Sequence, residues 1–303
     1  MLKLYKLFEN KVTAAEDEGN IFHYVNPDEK EKKYLVENYG IDEHTLNSSL
    51  DPDELARLEF EPEHAAMILK IPKTYTAAEP LLFRVNSMGI FIFKNKLVAV
   101  TNEDTQLFQG KHFNKTISLN DVVLRLVFTS IVHFMEHLKV INVLSDEIEK
   151  KINTAMENRY LLNQFTLGKS LVYYQNAINS NSVLVEKLKL NSNKLALLQE
   201  ESELLDDIFI ENNQCYKQAE IYSNILASLM DAKASLISNN LNILMKTLNI
   251  ITIMIMVPTF VVSAFSMNVE IPLQKHPFAF FIIMSLAFIS VFGFFLFWRW
   301  KKW

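Results

Sequence analysis

The pattern that most invites chemistry is a polar row on an otherwise apolar stretch. Asp231, Ser238, Met245, Thr252 and Thr259 stand seven residues apart, and Ser235, Asn242, Asn249 and Met256 form a parallel row three or four residues away. On a helix both rows fall on one face. The other faces carry Leu241, Leu244, Leu248, Ile250, Ile251, Ile253 and Ile255. In lipid, polar side chains gather where they meet one another or water, so this row faces a bundle axis. Two readings are open at this point. Asn242 and Asn249 hydrogen-bond neighbouring helices as glue, or the row lines a water-filled path for an ion.

Other constellations say less. His133-Phe134-Met135-Glu136-His137 reproduces the H-x-x-E-H spacing of inverted zinc proteases. No third ligand lies near it and its helix has an apolar face to pack, so a structural or solvent-facing pair outweighs a zinc centre. His23, His44, His64 and His112 are scattered. Glu200, Glu201, Glu203, Asp206, Asp207 and Glu211 read by themselves as a solvated helix face. No phosphate loop, nucleophile elbow or glycine-rich fingerprint occurs, so neither an enzyme nor ATP-driven transport is indicated, and no organic cofactor is implied. The lone Cys215 cannot form an intrachain disulfide.

These residues need long helices to hold them. No proline occurs between Leu81 and Val257, and after about residue 115 the sequence reads as uninterrupted helix. One helix is expected from Ser118, with Asp121 as capping partner, to about Asn153; a second from about Arg159 to Lys189; and a third from about Asn193 to Phe265, broken only by Pro258. The third would measure roughly 100 Å, too long for one small globule, and must pack on other helices as a stalk. Before residue 115 the signals are mixed. Pro27-Asp28-Glu29 opens a short helix through about Glu37, ended by Gly40, and Asp51-Pro52-Asp53 starts a turn or a second helical piece. Ala65–Ile71, Leu81–Val85, Ile90–Phe93 and Leu97–Thr101 read as strands, with Lys94-Asn95-Lys96 as a hairpin tip. The expectation is a small α/β domain with an antiparallel sheet.

Leu248–Phe265 and Phe278–Trp298 are long and charge-free enough to cross a hydrocarbon core of about 30 Å, and they read as the only two such spans. Charge divides along the same line: of 303 residues, those before Leu244 carry 25 basic against 34 acidic side chains, and those from Leu244 onward five basic against one acidic. An acidic body on a basic apolar tail points to cations and a lipid bilayer, not to nucleic acid. Lys246 precedes the first span; Arg299, Lys301 and Lys302 follow the second, among Trp298, Trp300 and Trp303, which places both termini in the cytoplasm. Met1–Asn10 alternates Leu with Lys, so no secretory signal is expected there. The organisation expected is therefore a cytoplasmic α/β domain over 1–117, packing helices over 118–192, a stalk continuing into the first span over 193–265, an outer connection over 266–277, a second span over 278–298 and a basic tail over 299–303, in the cell (inner) membrane.

Phe265-Ser266-Met267-Asn268 stands where the CorA-type magnesium channels carry Tyr-Gly-Met-Asn. The similarity extends back through Pro258-Thr259-Phe260 to Ser238–Asn242 and Met245-Lys246, and forward to a second span closed by Lys301-Lys302-Trp303. The chain thus resembles that family strongly over roughly its last 75 residues. The resemblance implies a homopentamer with the first span lining a central pore and the α/β domains forming a funnel, passing hydrated Mg²⁺ down the membrane potential. It implies pore-lining rings at Asn242, Met245 and Met256, to which the polar row adds Asn249, Thr252 and Thr259. It further implies an acidic ring at Asp231, and a selectivity filter at Ser266, Met267 and Asn268. Mg²⁺ sheds water reluctantly, so a ring of neutral amides at Asn268 holds the ion through its hydration shell. Regulatory Mg²⁺ is implied at Asp207, whose acidic partner in the family aligns near Asn47-Ser48, with Asp51 the nearest substitute. Ser266 in place of Gly and the loop pair Glu270 and Lys275 depart from the family. A Zn²⁺, Co²⁺ or Ni²⁺ transporter of the same fold, or a non-conducting scaffold or sensor, are the alternatives.

Overall fold

The computed structural model describes residues 1–74, 81–108, 110–155, 158–269 and 276–301. The chain forms two compact units, Met1–Met230 and Asp231–Trp303. Seven strands build one sheet in the first: β1 (Leu2–Phe8), β2 (Lys11–Ala15), β3 (Ile21–Val25), β4 (Arg57–Phe60), β5 (His64–Pro72), β6 (Val85–Phe93) and β7 (Leu97–Thr101), in the spatial order β2-β1-β3-β7-β6-β5-β4. The hairpin at Lys94–Lys96 joins β6 to β7, with Phe93 N–H donating to Lys96 O at 2.9 Å. The sheet is mixed, not antiparallel as expected, because β3 and β7 pair in parallel, Ile21 opposite Leu97. Parallel neighbours need a crossover, and the chain makes it through everything between residues 26 and 96. Of the apolar pieces 81–85 and 90–93, expected as two strands, Leu81–Arg84 lies outside any strand and Val85 opens the single strand that contains the second piece.

Helices cover both faces of the sheet. On one side lie α1 (Glu29–Tyr39) and α2 (Glu43–Ser48), which close Tyr24, Leu35, Ile41, Leu46, Ala66, Phe91, Val98 and Val100 into a core. Asp28 caps α1 through Lys30 and Glu31 N–H in a capping box, and Gly40 ends it in the left-handed region at φ 65. On the other side lie α3 (Leu119–Ala155) and α4 (Asn158–Leu190), packed on Met67, Leu69, Met88, Ile90 and Leu97. With both faces covered, β5 is buried along its whole length, His64 and Lys70 included, and Ala65–Leu69 reads as a continuous apolar run. β4 pairs only as far as Ile68, so the backbone of Lys70 lacks a strand neighbour on that side. The Asn181 carboxamide of α4 replaces it, accepting from Lys70 N at 2.9 Å and donating to Lys70 O at 2.8 Å.

Ser118 and Asp121 cap α3 as the sequence suggests: Ser118 Oγ accepts from Asp121 N at 3.1 Å, and Asp121 Oδ2 accepts from Ile117 N at 2.9 Å. The third long helix, α5 (Gln199–Ala264), starts six residues later than expected. Residues 191–196 form turns instead, with Ala196 at φ 50, and the buried Glu201 carboxylate takes the Leu198 N–H at 2.7 Å. Within the first unit α5 buries Glu201, Leu205, Ile208, Asn212, Cys215, Ala219 and Leu226. This row closes on α4, where Asn212 Nδ2 donates to Ser182 Oγ at 2.7 Å. The second unit consists of the rest of α5 and α6 (Ala279–Lys301).

Among the described residues three helices, not two, are long and apolar enough to cross a membrane: α3 over Leu119–Ile152, α5 and α6. Burial separates them. The most apolar window of α3 is 39% buried inside the chain, through Val122, Val127, Phe134 and Leu138, whereas those of α5 and α6 are 0% and 6% buried. α3 spends its apolar surface on its own core.

Candidate functional site

Every residue of α5 from Ala234 to Asn249 is solvent-exposed, whether polar or apolar. None of the described residues covers this stretch, so both the isoleucine and leucine faces and the polar row need partners from outside the chain. Asp231, Asn242, Met245, Asn249, Thr252 and Met256 are all exposed, Thr252 and Met256 lying further along the same helix. The amides of Asn242 and Asn249 make no hydrogen bond among the described residues. The threonines are satisfied locally: Thr252 Oγ1 donates to Leu248 O at 2.8 Å and Thr259 Oγ1 to Ile255 O at 2.7 Å. Each hydroxyl then offers only its lone pairs outward, which makes the row an acceptor surface.

A strict heptad row walks round a straight helix by about 20° per heptad. Over the four heptads from Asp231 that drift carries Thr259 toward α6, where it borders a groove of about 610 Å³ with Pro258, Ser266, Met284, Ala287 and Phe288. Met256, one turn earlier, is exposed and does not line the groove. α5 runs through Pro258 without ending. The ring removes one amide donor there and leaves the Met254 carbonyl without its helical partner.

Ser266, Met267 and Asn268 follow the last turn of α5; all three are exposed, with Ser266 at the rim of the groove. Ser266 is not among the described non-glycine residues with positive φ. Its N–H and its Oγ both donate to Ser263 O, at 3.1 and 2.9 Å, so the residue finishes the helix end with a hydrogen bond glycine could not make. Position 266 therefore asks for a small side chain and not for left-handed backbone. The carboxamide of Asn268 has no partner among the described residues. The loop pair Glu270 and Lys275, and Lys302 and Trp303 of the tail, lie outside the described residues.

The proposed regulatory residues stand apart. Asp207 is exposed, while its neighbour Asp206 is paired with Lys189 at 2.7 Å. Asn47, Ser48 and Asp51 border a separate depression with Glu43, His44 and Glu54. Among the described residues no three His, Cys, Asp or Glu side chains are grouped to hold a metal ion. Asp207 thus has no ligand set among the described residues of its own chain.

Comparison with known proteins adds a family to this geometry. The model of the CorA-like Mg²⁺ transporter protein family matches residues 16–302. The cobalt/magnesium transport protein CorA of Methanocaldococcus jannaschii is 24% identical over 296 residues, covering 92% of this chain and 89% of the relative. The complete structure of the CorA magnesium transporter from the same organism superimposes with a TM-score of 0.81 at 20% identity, covering 98% of this chain and 96% of that one. The full-length CmaX protein superimposes with a TM-score of 0.71 at 16% identity, over 97% and 89% of the two chains.

Proposed function

The chain belongs to the CorA-like family of Mg²⁺ transporter proteins, and from that premise we propose that five copies assemble in the membrane around the polar row of α5 and pass hydrated Mg²⁺. The observation that carries this reading is the uncovered row itself. Asn242, Asn249 and Asp231 bear oxygens without a hydrogen-bond partner among the described residues, on a stretch of helix that none of those residues covers. A symmetric ring of copies supplies the missing neighbours at every level at once.

The chemistry suits a passive divalent path. Neutral amide oxygens at Asn268, Asn249 and Asn242 accept hydrogen bonds from an ion's water shell without binding so tightly that flux stops. Met245 and Met256 give apolar constrictions between them, which gate by excluding water. Asp231 concentrates cations at the cytoplasmic end. Asn268, Met267 and Ser266 act as the selectivity filter, with Ser266 holding the end of the helix that presents the amide. Asp207 regulates by sharing an ion with a neighbouring copy, since no group of three His, Cys, Asp or Glu side chains that could hold one is found among the described residues of its own chain. The driving force is the membrane potential, about 2.3 kcal/mol per elementary charge per 100 mV.

Purified protein in liposomes tests this. Potential-driven Mg²⁺ uptake, lost in Asn242→Leu, is the expected result, and Co²⁺ run in parallel ranks the cations. No uptake of either ion would favour a non-conducting scaffold.

A further inference from the structure

A cavity of about 650 Å³ lies in the first unit, between the sheet and α3, and the ion path makes no use of it. His133, Glu136 and His137 line it from α3, with Asp104 and Thr105 from the segment after β7. The two imidazoles stand four residues apart on one helix, so they share a face with Cβ atoms about 5–6 Å apart. That is the spacing at which two rings reach one ion.

The two histidines are held differently. His133 is exposed. His137 is locked: its Nδ1 lies 2.7 Å from the Tyr174 hydroxyl, its ring stacks on Tyr174 at 6.0 Å between centroids, and the Phe83 ring meets it at 5.6 Å. Tyr174 is fully buried, so its hydroxyl fixes the orientation of the imidazole through Nδ1, and Nε2 of this cavity-lining residue has no hydrogen-bond partner among the described residues. A metal-ligating histidine is normally oriented in this way through its second nitrogen. Thr105 Oγ1 and Thr129 Oγ1 line the same cavity as buried atoms without a hydrogen-bond partner among the described residues, and both suit the water shell of a bound ion.

We propose that His133 and His137 bind one nitrogen-preferring divalent cation of the Zn²⁺ class. Imidazole selects Zn²⁺, Co²⁺ and Ni²⁺ over Mg²⁺, which demands oxygen, so the site discriminates against the ion the pore is proposed to carry. No third His, Cys, Asp or Glu side chain joins the pair among the described residues. Water completes the coordination, with Glu136 positioned to accept its hydrogen bonds. Two protein ligands make an exchangeable site, not a closed structural one, and give no protease centre. With metal on Nε2, His137 carries its proton on Nδ1 and donates it to the Tyr174 oxygen. The site sits in the first unit and stands independently of the pore reading.

The test is Zn²⁺ titration of the full-length protein in detergent, stripped of metal, in excess Mg²⁺ and against a chromophoric chelator. One Zn²⁺ per chain is expected. His133→Ala, which removes an exposed side chain and leaves the core intact, should weaken binding at least about tenfold; Tyr174→Phe, which keeps the buried ring, should weaken it by about tenfold through loss of the orienting hydroxyl. Near-UV circular dichroism checks that both variants are folded. No Zn²⁺ retained by the wild type, or equal affinity in His133→Ala, would overturn the site; an unchanged Tyr174→Phe would overturn the part given to Tyr174.

Discussion

α5 carries two rows at heptad spacing, and they end in opposite ways. Before Met230 the row is Leu205, Ile208, Asn212, Cys215, Ala219 and Leu226, all buried, with Asn212 satisfied by Ser182. From Asp231 the row is Asp231, Ser238, Met245 and Thr252, all exposed, with Asn242 and Asn249 beside it and without partners among the described residues. The same spacing is thus closed by the chain itself in one unit and left open in the other. Cys215 shows how dry the closed row is, since burial pushes its thiol up to about 12. A row of small and apolar groups packs against neighbouring helices of its own domain; a row of amides and hydroxyls on an apolar helix calls for copies of itself and water.

The sharpest way to break this contrast is Asn268→Ala, which should bring Mg²⁺ uptake in proteoliposomes to background while the oligomer and the folded first unit persist. Unchanged uptake would put selectivity elsewhere. In the closed row, Ile208→Ala should cost about 2–5 kcal/mol of stability by opening a cavity, seen as an earlier urea midpoint. Ile255→Ala, in the second unit, should leave the urea midpoint of the first unit unchanged. Equal losses would mean that the two halves do not differ as described.

Acid should weaken the first unit. His23 is fully buried and its pKa is pushed down to about 4 by burial, against about 6.5 in an unfolded chain. The unfolded chain therefore takes the proton first. Stability is complete above about pH 6.5 and falls as pH drops toward 4, by up to about 3 kcal/mol. His64, also held low by burial, adds in the same direction. Urea midpoints at pH 7 and pH 4.5 measure the slope, and His23→Gln, which keeps a hydrogen bond to Thr101, should flatten most of it. A small effect is expected at Ser266. Because its backbone is not strained, Ser266→Gly should change Mg²⁺ flux by less than about tenfold, or 1.4 kcal/mol; flux appearing only in the glycine variant would show that Ser266 holds the pore shut.

The strongly periodic parts of the molecule are legible in the sequence. Gly40, Ser118, the hairpin at Lys94–Lys96 and the three long helices follow from caps, turn residues and the absence of proline. β1 and β2 leave a fainter signal, because β2 is an edge strand and neither buries a full face, so the alternation of Leu2, Leu4 and Leu7 with Lys3 and Lys6 is the only trace. The parallel pairing of β3 with β7 joins residues more than seventy apart and leaves no local mark. The start of α5 is ambiguous: Asn191-Ser192-Asn193 is a cluster of turn formers, yet Lys194–Leu198 alone has helical composition. In the polar row the residue types are readable, but the approach of Thr259 and Ser266 to α6 depends on how a heptad drifts on a real helix. His137 is visible as half of a pair; its clamp by Tyr174 is not, because the two lie on different helices.

The claim on which the rest depends is that the open row of α5 is closed by copies of the same chain. Native mass spectrometry in mild detergent tests it most directly. The account predicts one dominant species at five times the 35.1 kDa chain mass, and a monodisperse monomer would contradict it.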